Sequence, residues 1–389
     1  MFALIDCNNF YASCERVFQP QFEGKAVVIL SNNDGCVIAR SNEAKALGIP
    51  MGAPAFKFRN EFKKHNIKVF SSNYPLYGDM SNRVMKILET YTPNVEIYSI
   101  DEAFLKFEGF DHFDLKERGL KIRKQVRRWT GIPVSVGLAP SKALAKIANK
   151  IAKKFDNRTQ GVYSVDSEEK RLKALKWTPI EDVWGVGRQH AKRLQAMQIK
   201  TALDFVNLPD DWVKKQMSIL GLRLKRDLEG VPSIQLEEVT LSKKSIATTR
   251  SFKNILTTSV NIEERITTYT LLGAEKLRKQ KSCATALHVF VRSNPFDPKA
   301  EQYRNGCTIT LPHATDSNFI LNRYALMGLR NIFKPGIEYK KAGVILLGLT
   351  PSSSRQINLF EQDTAKHTAL MKTLDKIHRR YGPHQMKLA

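Results

Sequence analysis

Cysteine, long apolar runs and targeting segments are scarce or missing in this sequence of 389 residues. None of its five cysteines forms a CxxC pair or a zinc-like cluster with histidine, so we expect reduced thiols in a cytoplasmic protein. No uncharged apolar run reaches the roughly 18 residues needed to cross a bilayer. The apolar start, Phe2 to Ile5, lacks the basic segment of a signal peptide. These absences predict an intracellular protein with no membrane association.

Acidic residues are also scarce, at 38 against 62 lysines and arginines, which gives a net charge of +24. A net charge of about 8 already keeps a small domain soluble, so a solubility surface is the weaker explanation of this excess. A polyanionic partner, and nucleic acid in particular, explains it better. The length allows two to four domains.

The apolar pattern predicts a multidomain α+β fold. In the first 165 residues, strands are predicted at 2–5, 26–30, 95–100, 103–107 and 134–138, with helices at 41–48, 77–91 and 115–129. Short helices are predicted over 166–232, followed by a polar linker over 233–244. One helix (262–277) and three strands (284–292, 307–311 and 342–349) then form a smaller α+β domain, and a polar, basic stretch follows Pro351.

Three carboxylates lie at strand ends. Asp6 ends the first strand, and Asp101 and Glu102 form a tight turn between two apolar strands. Two divalent ions bound by such hard oxygen ligands would catalyse phosphoryl transfer to a sugar hydroxyl. From spacing alone, an exposed hairpin turn, where acids are common, is the better explanation of Asp101 and Glu102. One acid after a strand is likewise ordinary.

A resemblance favours the metal site. Three segments resemble motifs of the Y-family DNA polymerases, in order and at the expected separations: Asp6 to Glu15 (DCNNFYASCE), Ser99 to Phe104 (SIDEAF), and Val136 to Ala148 (VGLAPSKALAKIA). The match is closest to the UmuC-like branch, the catalytic subunit of bacterial DNA polymerase V and its plasmid or phage relatives. This resemblance implies error-prone translesion synthesis in DNA repair and the SOS response.

The resemblance also implies a right-hand architecture. Its parts are a palm (1–10 and 75–165), small fingers (11–74), a helical thumb with a helix–hairpin–helix (166–232), a little finger (240–350) and a C-terminal tail (351–389). Asp6 and Asp101 would bridge two Mg²⁺ ions, for which Mn²⁺ could substitute. Glu102 would bind the ion that activates the 3′-hydroxyl, and the Cys7 backbone carbonyl would complete a coordination shell.

Sugar and phosphate contacts are predicted beside the carboxylates. An aromatic ring under the incoming sugar would leave no room for a 2′-hydroxyl, and the resemblance gives this role to Tyr11, with Phe10 as its neighbour. Core packing is the alternative for both rings. The resemblance assigns the triphosphate of the dNTP to Arg40, Asn42, Lys45 and Lys153. Many family members have tyrosine in place of Asn42 and arginine in place of Lys45, and lysine loses the bidentate geometry of arginine.

A row of lysines follows the third motif. Lys142, Lys146, Lys150 and Lys154 recur every four residues, which places them on one face of a helix. Because we expect no acids to balance this basic stripe, an ordinary solvated face is the weaker explanation.

DNA contacts are predicted in two regions. The Gly-Val-Gly turn at Gly185 and Gly187, followed by Arg188, resembles a helix–hairpin–helix, whose backbone N–H groups bind phosphate without reading sequence; an ordinary helix-connecting turn is the alternative. In the little finger, Lys243, Lys244 and Arg250 are candidate phosphate contacts.

The stretch Gln356-Ile357-Asn358-Leu359-Phe360 resembles the peptide by which bacterial polymerases hold the sliding clamp. Gln356, Leu359 and Phe360 are its predicted anchors in an apolar pocket of the clamp. The resemblance to the UmuC-like branch implies primer-template DNA, dNTPs, the clamp, a UmuD-like accessory dimer and RecA as candidate partners.

Two other functions were weighed against a polymerase. A nucleotide cyclase is another two-metal palm enzyme, but it has no use for long basic thumb and little-finger regions. A non-catalytic DNA-binding subunit would not need all three carboxylates.

Overall fold

The computed structural model describes residues 1–110, 112–237, 242–354 and 364–382. The chain divides into two compact units, residues 1–240 and 241–389, and each is described by itself. Within the described residues, no helix has the length and apolar character required to cross a membrane. The division near residue 240 coincides with the predicted start of the little finger, while the divisions inside the first unit stay predictions.

The first unit contains eight strands among its described residues. They are β1 (Phe2–Cys7), β2 (Val27–Leu30), β3 (Val37–Arg40), β4 (Lys68–Ser71), β5 (Val95–Ile97), β6 (Glu102–Lys106), β7 (Val134–Ala139) and β8 (Val162–Ser164). Five form one sheet in the order β5-β6-β1-β7-β8, and three form a second sheet in the order β3-β2-β4. In the larger sheet β1 is central and antiparallel to both of its neighbours.

The helices of the first unit cover this sheet and continue beyond it. They are α1 (Phe10–Phe18), α2 (Asn42–Ala46), α3 (Arg59–Lys64), α4 (Tyr74–Glu89), α5 (Leu115–Thr130), α6 (Lys142–Lys154), α7 (Asp156–Thr159), α8 (Glu168–Trp177), α9 (Arg188–Ala196), α10 (Ala202–Val206) and α11 (Asp210–Leu228). Ser41 caps α2 at its start, because its side chain accepts a hydrogen bond from the Ala44 N–H.

The central strand β1 is buried on both faces, which explains its uninterrupted apolar run. Phe2 and Leu4 pack with α6 and the helices after it. Ala3 and Ile5 pack on the opposite face, among residues of α1, α4 and α5. Because strand side chains alternate between faces, Asp6 falls on the same face as Phe2 and Leu4, toward α6.

Helix α6 lies unusually close to the sheet at Gly137 of β7. A Cβ atom added there would come within 2.2 Å of the Asn149 backbone N and 2.3 Å of the Ala145 carbonyl oxygen. Asn149 also donates hydrogen bonds from its side chain to the carbonyls of Leu4 (3.1 Å) and Ser135 (2.8 Å). The helix is thus fixed against β1 and β7 by direct backbone approach and by buried hydrogen bonds.

The second unit is an antiparallel sheet covered by helices. Its strands are β9 (Ile246–Leu256), β10 (Ser282–Arg292), β11 (Arg304–Thr315) and β12 (Tyr339–Pro351), in the order β11-β10-β12-β9. Its helices are α12 (Ser259–Gln280), α13 (Asn318–Ile332) and α14 (Thr364–Tyr381). Side chains of α12, α13 and the four strands share one buried core.

Some elements of the second unit were not predicted from sequence. These are strand β9 and helices α13 and α14. Helix α14 lies in the stretch that was expected to be only polar and basic, yet its Met371 and Leu374 are buried. Its Asp375 accepts two hydrogen bonds of 2.7 Å from Arg278 of α12. The predicted clamp anchors Gln356, Leu359 and Phe360 lie outside the described residues.

Candidate active site

Asp6 lies near the end of β1 with its carboxylate toward α6, where Lys153 forms an ion pair with it. Asp6 is only 9% exposed. Burial raises the pKa of this carboxyl to about 7; the charge of Lys153 acts against the rise, and the nearby Glu102 adds to it. The structure therefore holds a carboxylate in a place where a full negative charge needs a cationic partner.

Glu102 lies directly opposite Asp6, because the two residues are register partners on β1 and β6. The Lys146 Nζ atom is 2.8 Å from the Glu102 Oε2 atom, and both side chains are less than one-fifth exposed. The same amino group lies 4.3 Å from the centroid of the Tyr98 ring. Asp6 and Glu102 lie on adjacent strands, and each pairs with a lysine of α6. Asp6 pairs with Lys153, and Glu102 pairs with Lys146.

Asp101 occupies the turn before β6 and is tied to the end of β1. Its carbonyl accepts a hydrogen bond of 2.8 Å from the Cys7 N–H. Its carboxylate accepts one of 2.6 Å from the Ser99 hydroxyl. The Ser99 oxygen in turn accepts from the backbone N–H of Glu102 at 3.1 Å. The turn is therefore internally bonded, unlike a loosely solvated hairpin.

The donor set fits hard divalent cations, although the three carboxylates do not converge as they stand. Among the described residues, no three acidic, cysteine or histidine side chains form a metal-binding group, and lysines pair with Asp6 and Glu102. The mutual repulsion that helps to raise the pKa of Asp6 is what a divalent cation would relieve. Burial raises the pKa of the Cys7 thiol, so this residue could offer its carbonyl but not a thiolate.

Tyr11 rests on a layer of aromatic rings. Its ring stacks on Tyr77, with 4.2 Å between centroids, and meets Tyr74 edge-on at 6.0 Å. Tyr77 is itself held by a hydrogen bond of 2.7 Å from its hydroxyl to buried Glu15. Phe10 is buried in the core, whereas Tyr11 is half-buried. Of the two rings, Tyr11 is therefore the one placed to touch a substrate.

Asn9 connects the start of α1 to helix α2. It precedes α1 in the left-handed region, with φ of 49°, a conformation that asparagine tolerates better than most residues. Its side-chain N–H donates to the Asn42 Oδ1 atom at 2.9 Å, and its Oδ1 atom accepts from the Lys45 amino group at 2.5 Å. Burial, followed by the charges of Arg40 and Lys153, lowers the pKa of Lys45.

A cleft of about 1070 Å³ in the first unit has Asn42, Lys45 and Lys153 in its lining. The structure thus brings three of the four predicted phosphate contacts to one cavity. Arg40 does not belong to that lining, and its guanidinium instead donates to the Ile49 carbonyl at 2.6 Å. Electrostatic coupling to Lys45 nevertheless places Arg40 beside this group.

The expectation that no acid balances the lysine row is wrong. The Lys142 amino group is 2.7 Å from a Glu96 oxygen, Lys146 pairs with Glu102, and Lys150 pairs with Asp182. These acids come from other elements, which a comparison of neighbours along one helix does not reveal.

The predicted helix–hairpin–helix lies in the helical part of the first unit. Gly185 has a φ of +90°, which side chains other than glycine rarely adopt. Gly187 caps α9, which begins at Arg188. A backbone turn before a helix with a basic first residue is the arrangement that the sequence predicted, and phosphate binding by it stays a prediction.

Basic residues also gather on the second unit. Burial lowers the pKa of Lys276, and the charges of Lys243 and Arg250 lower it further, so these three cations are close to one another. Lys244 follows Lys243 and is exposed. The structure therefore places Lys276, on α12, beside two of the predicted phosphate contacts.

The sequence analysis assigned no role to Asn9 or Glu96, and it gave Lys146 a different role from the one seen in the structure. Asn9 lies within the first motif, between Asp6 and the aromatic pair, but no further signal indicated its contacts. Glu96 and Lys146 became important only through long-range contacts, Glu96 with Lys142 and Lys146 with Glu102. For the lysines, the one signal in the sequence was their four-residue spacing within and after the third motif.

Comparison with known proteins gives consistent matches over the chain. The model of the impB/mucB/samB family matches residues 5–150, and the model of its C-terminal domain matches residues 243–359. Protein UmuC of Salmonella typhimurium is 42% identical, over 98% of this chain and 91% of that protein. Protein MucB of Escherichia coli is 39% identical over 100% and 92%. DNA polymerase IV of Moorella thermoacetica is 27% identical over 97% and 93%.

Solved structures share the fold. A Y-family DNA polymerase chimera of Dbh and Dpo4 has a TM-score of 0.72, at 22% identity, over 90% of this chain and 100% of that one. An insertion ternary complex of Dbh DNA polymerase has a TM-score of 0.58 over the same shares. The predicted multidomain α+β fold class is thereby confirmed.

Proposed function

The chain belongs to the impB/mucB/samB family, in the UmuC-like branch of the Y-family DNA polymerases, and we propose that Asp6, Asp101 and Glu102 carry its chemistry. It is a DNA-directed DNA polymerase of translesion synthesis in SOS mutagenesis. Members of the Y family are generally metal-dependent. For this chain we propose two Mg²⁺ ions, with Mn²⁺ as a substitute, and the cytoplasm as the place of action.

The observation that carries the proposal is the pair formed by Asp6 and Glu102. Register places the two acids side by side, and helix α6 presents one lysine to each. An ion pair that is only partly buried is worth little in stability, and it can exchange its cation without unfolding the site. Lysines in these positions neutralise the acids until a stronger cation replaces them.

The residues of the chain then have distinct tasks. Bound divalent ions would lower the pKa of the primer 3′-hydroxyl and neutralise the triphosphate. Lys153, once released from Asp6, can donate to the phosphates, and Asn9 holds Lys45 toward the same cleft. Tyr11, supported by Tyr77, lies under the sugar. Ser99 keeps the Asp101 carboxylate oriented.

The small size of the predicted fingers supports low fidelity. The predicted fingers, residues 11–74, carry one small sheet of three four-residue strands and short helices α2 and α3. So small a region would close loosely around a nascent base pair, which permits damaged templates.

Replacement of Asp101 by asparagine tests the proposal. Asp101→Asn removes a charge but keeps the size of the side chain, so primer extension should fall at least about 100-fold while binding to primer-template stays near normal. Asp79→Asn, at an exposed acid that pairs with Arg83 on α4, is the matched control. Extension on undamaged and abasic templates and fluorescence anisotropy of labelled DNA give the two readouts. Loss of DNA binding together with activity would count against a catalytic role.

The same assay separates the rival functions. A cyclase would convert a nucleotide without a template, and a non-catalytic subunit would bind DNA without extending a primer. Neither outcome agrees with template-dependent extension that Asp101→Asn abolishes.

A sliding clamp is the protein partner that we propose, through Gln356, Leu359 and Phe360. The motif stands between β12 and α14, both of which belong to the second unit. Alanine at all three positions should weaken binding to the clamp by about 2 kcal/mol or more and leave extension of short gaps intact. Surface plasmon resonance with immobilised clamp measures this, and a lower melting temperature of the variant would instead assign the residues to a core. A UmuD-like accessory dimer and RecA rest on family resemblance alone.

A further inference from the structure

We propose that the rear of the active-site cleft binds the pyrophosphate released at each nucleotide addition and leads it out of the protein. This inference rests on the proposed polymerase function, since that reaction makes the ligand. The rear of the cleft is the part of its lining formed by Arg123, Arg127, Lys150, Lys154 and Trp177.

The cleft connects the place of reaction to this rear part. Asn9 and Lys153 line its front, and the Lys153 amino group contacts Asp6. Arg127 of α5 and Trp177 of α8 line the same cavity of about 1070 Å³. All of these residues belong to the first unit. A product formed beside Asp6 would therefore lie next to Lys153, which shares this cavity with Arg127 and Trp177.

The charges of the lining favour a small polyanion. Its cations outnumber its acids by seven to four. Two of the rear cations are already paired, because Arg123 lies 2.8 Å from Asp156 and Lys150 contacts Asp182. Arg127 and Lys154 are both exposed and have no acidic partner in the described part of the chain. They are consequently the two cations in the rear that can bind an anion without first leaving an acid.

Phosphate groups match this lining better than a nucleobase does. The Trp177 ring packs against Phe155, with 5.7 Å between centroids, and the Lys150 amino group lies 5.9 Å from it. Trp177 therefore already has stacking partners. A guanidinium and an ammonium at the surface of a cavity bind phosphate oxygens by charge-assisted hydrogen bonds.

The reaction produces the ligand at the mouth of this path. The primer 3′-oxygen forms a bond to the α-phosphorus, and the bond from the α-phosphorus to the bridging oxygen breaks. The electron pair stays on that oxygen, so pyrophosphate leaves, while the hydroxyl proton passes to solvent. Lys153 is placed to hold the leaving group first, and Arg127 and Lys154 would receive it next.

Direct binding of magnesium pyrophosphate provides the test. Trp177 lines the proposed site, so titration of the full-length protein should change its fluorescence, and Trp177→Phe should remove that change. The double variant Arg127→Ala with Lys154→Ala should raise the dissociation constant about tenfold, which corresponds to about 1.4 kcal/mol. Arg128→Ala is the matched control, because Arg128 neighbours Arg127 on exposed surface but is absent from the lining. Equal constants for the double variant and the control would overturn the proposal.

Kinetics on the same variants locate the site. The inhibition constant of pyrophosphate in primer extension should rise about tenfold in the double variant, with kcat/KM for dNTP within twofold of the parent. Binding that depends on Lys153 but not on Arg127 or Lys154 would mean that pyrophosphate is held only at the front. The titration is repeated in Asp101→Asn protein, so that binding is measured without turnover. Should that variant extend primers normally, the proposed function fails while the binding result stands on its own.

Discussion

The first turn of α6 and its later turns use the same residue type in opposite ways. Lys142 is 2% exposed and donates to both oxygens of Glu96, at 2.9 and 2.7 Å, and to the Gln235 carbonyl at 3.3 Å. Glu96 also accepts from the Glu237 N–H at 2.8 Å. By contrast, Lys146 and Lys153 pair with the proposed catalytic acids, and Lys153 lines the cleft and is one-third exposed.

This difference shows that the groups around an ion pair, rather than the two paired residues alone, decide its role. At Lys142 every neighbour is satisfied, and the pair ties the start of α6 to the segment that leaves the helical part of the first unit. Asp6 and Glu102, the acids paired with Lys153 and Lys146, repel each other, which favours an additional cation beside them. One helix thereby has a locked region at its start and an open region further along.

The locked region should be the more sensitive to mutation. Lys142→Ala leaves the buried Glu96 charge unpaired, so the free energy of unfolding should fall by about 3–5 kcal/mol. Urea titration followed by circular dichroism measures the change. Lys142→Met combined with Glu96→Gln removes both charges and should restore most of the loss. A single variant that loses less than about 1 kcal/mol would remove the contrast between the two regions.

Within the open region, Lys153 should affect substrate rather than stability. Lys153→Ala removes a charge-assisted contact with phosphate worth about 1.5–3 kcal/mol, so KM for dNTP should rise between about 10- and 150-fold. Steady-state extension of a single nucleotide measures KM and kcat separately. Lys154→Ala, one residue on, should leave KM unchanged. A fall in kcat at constant KM would mean that Lys153 contributes mainly through Asp6.

Tyr11, which stacks on Tyr77, is the residue that we propose selects the sugar. Tyr11→Ala should raise ribonucleotide incorporation relative to deoxyribonucleotide by at least about tenfold, because the clash with the 2′-hydroxyl disappears. Tyr11→Phe keeps the ring on Tyr77 and is expected to keep the discrimination. Competition between rATP and dATP at one template position measures the ratio. An unchanged ratio in Tyr11→Ala would leave Tyr11 as a packing residue.

The smallest effect is expected at Lys146. Because its pair with Glu102 keeps more contact with solvent than the Lys142–Glu96 pair, Lys146→Ala should lower the free energy of unfolding by less than Lys142→Ala does. The magnesium concentration for half-maximal extension should fall, since one competing cation is gone. Urea titration and a magnesium titration of activity give the two values. A loss of stability as large as that of Lys142→Ala would place Lys146 in the locked region.

The proposed catalytic residues could be selected from sequence because the signals for them are local. Asp6 ends an apolar run, and Asp101 and Glu102 stand at a turn, so motif and strand pattern coincide. The partners of the lysine row could not be found in this way. Glu96 and Glu102 lie more than 40 residues from the lysines that they bind, and only strand register and helix docking bring them together.

The missed strand β9 has a related explanation. It is an edge strand, paired only with β12, so its residues Ile246–Leu256 alternate poorly and carry several exposed polar side chains. An edge position weakens the period-two pattern on which strand prediction depends. The polar, basic character of the last residues hid α14 for a similar reason, since few of its described side chains, such as Met371 and Leu374, are buried.

Gly137 has no side chain, and the arrangement of the proposed active site depends on that absence. Since α6 and β7 meet there backbone to backbone, even alanine would act as a spacer and push the helix away from the sheet. Every lysine on that helix would then shift relative to Asp6 and Glu102 at once. Gly137 carries no functional group, yet its replacement should impair catalysis. A survey of tolerated substitutions should therefore find Gly137 nearly as restricted as the carboxylates.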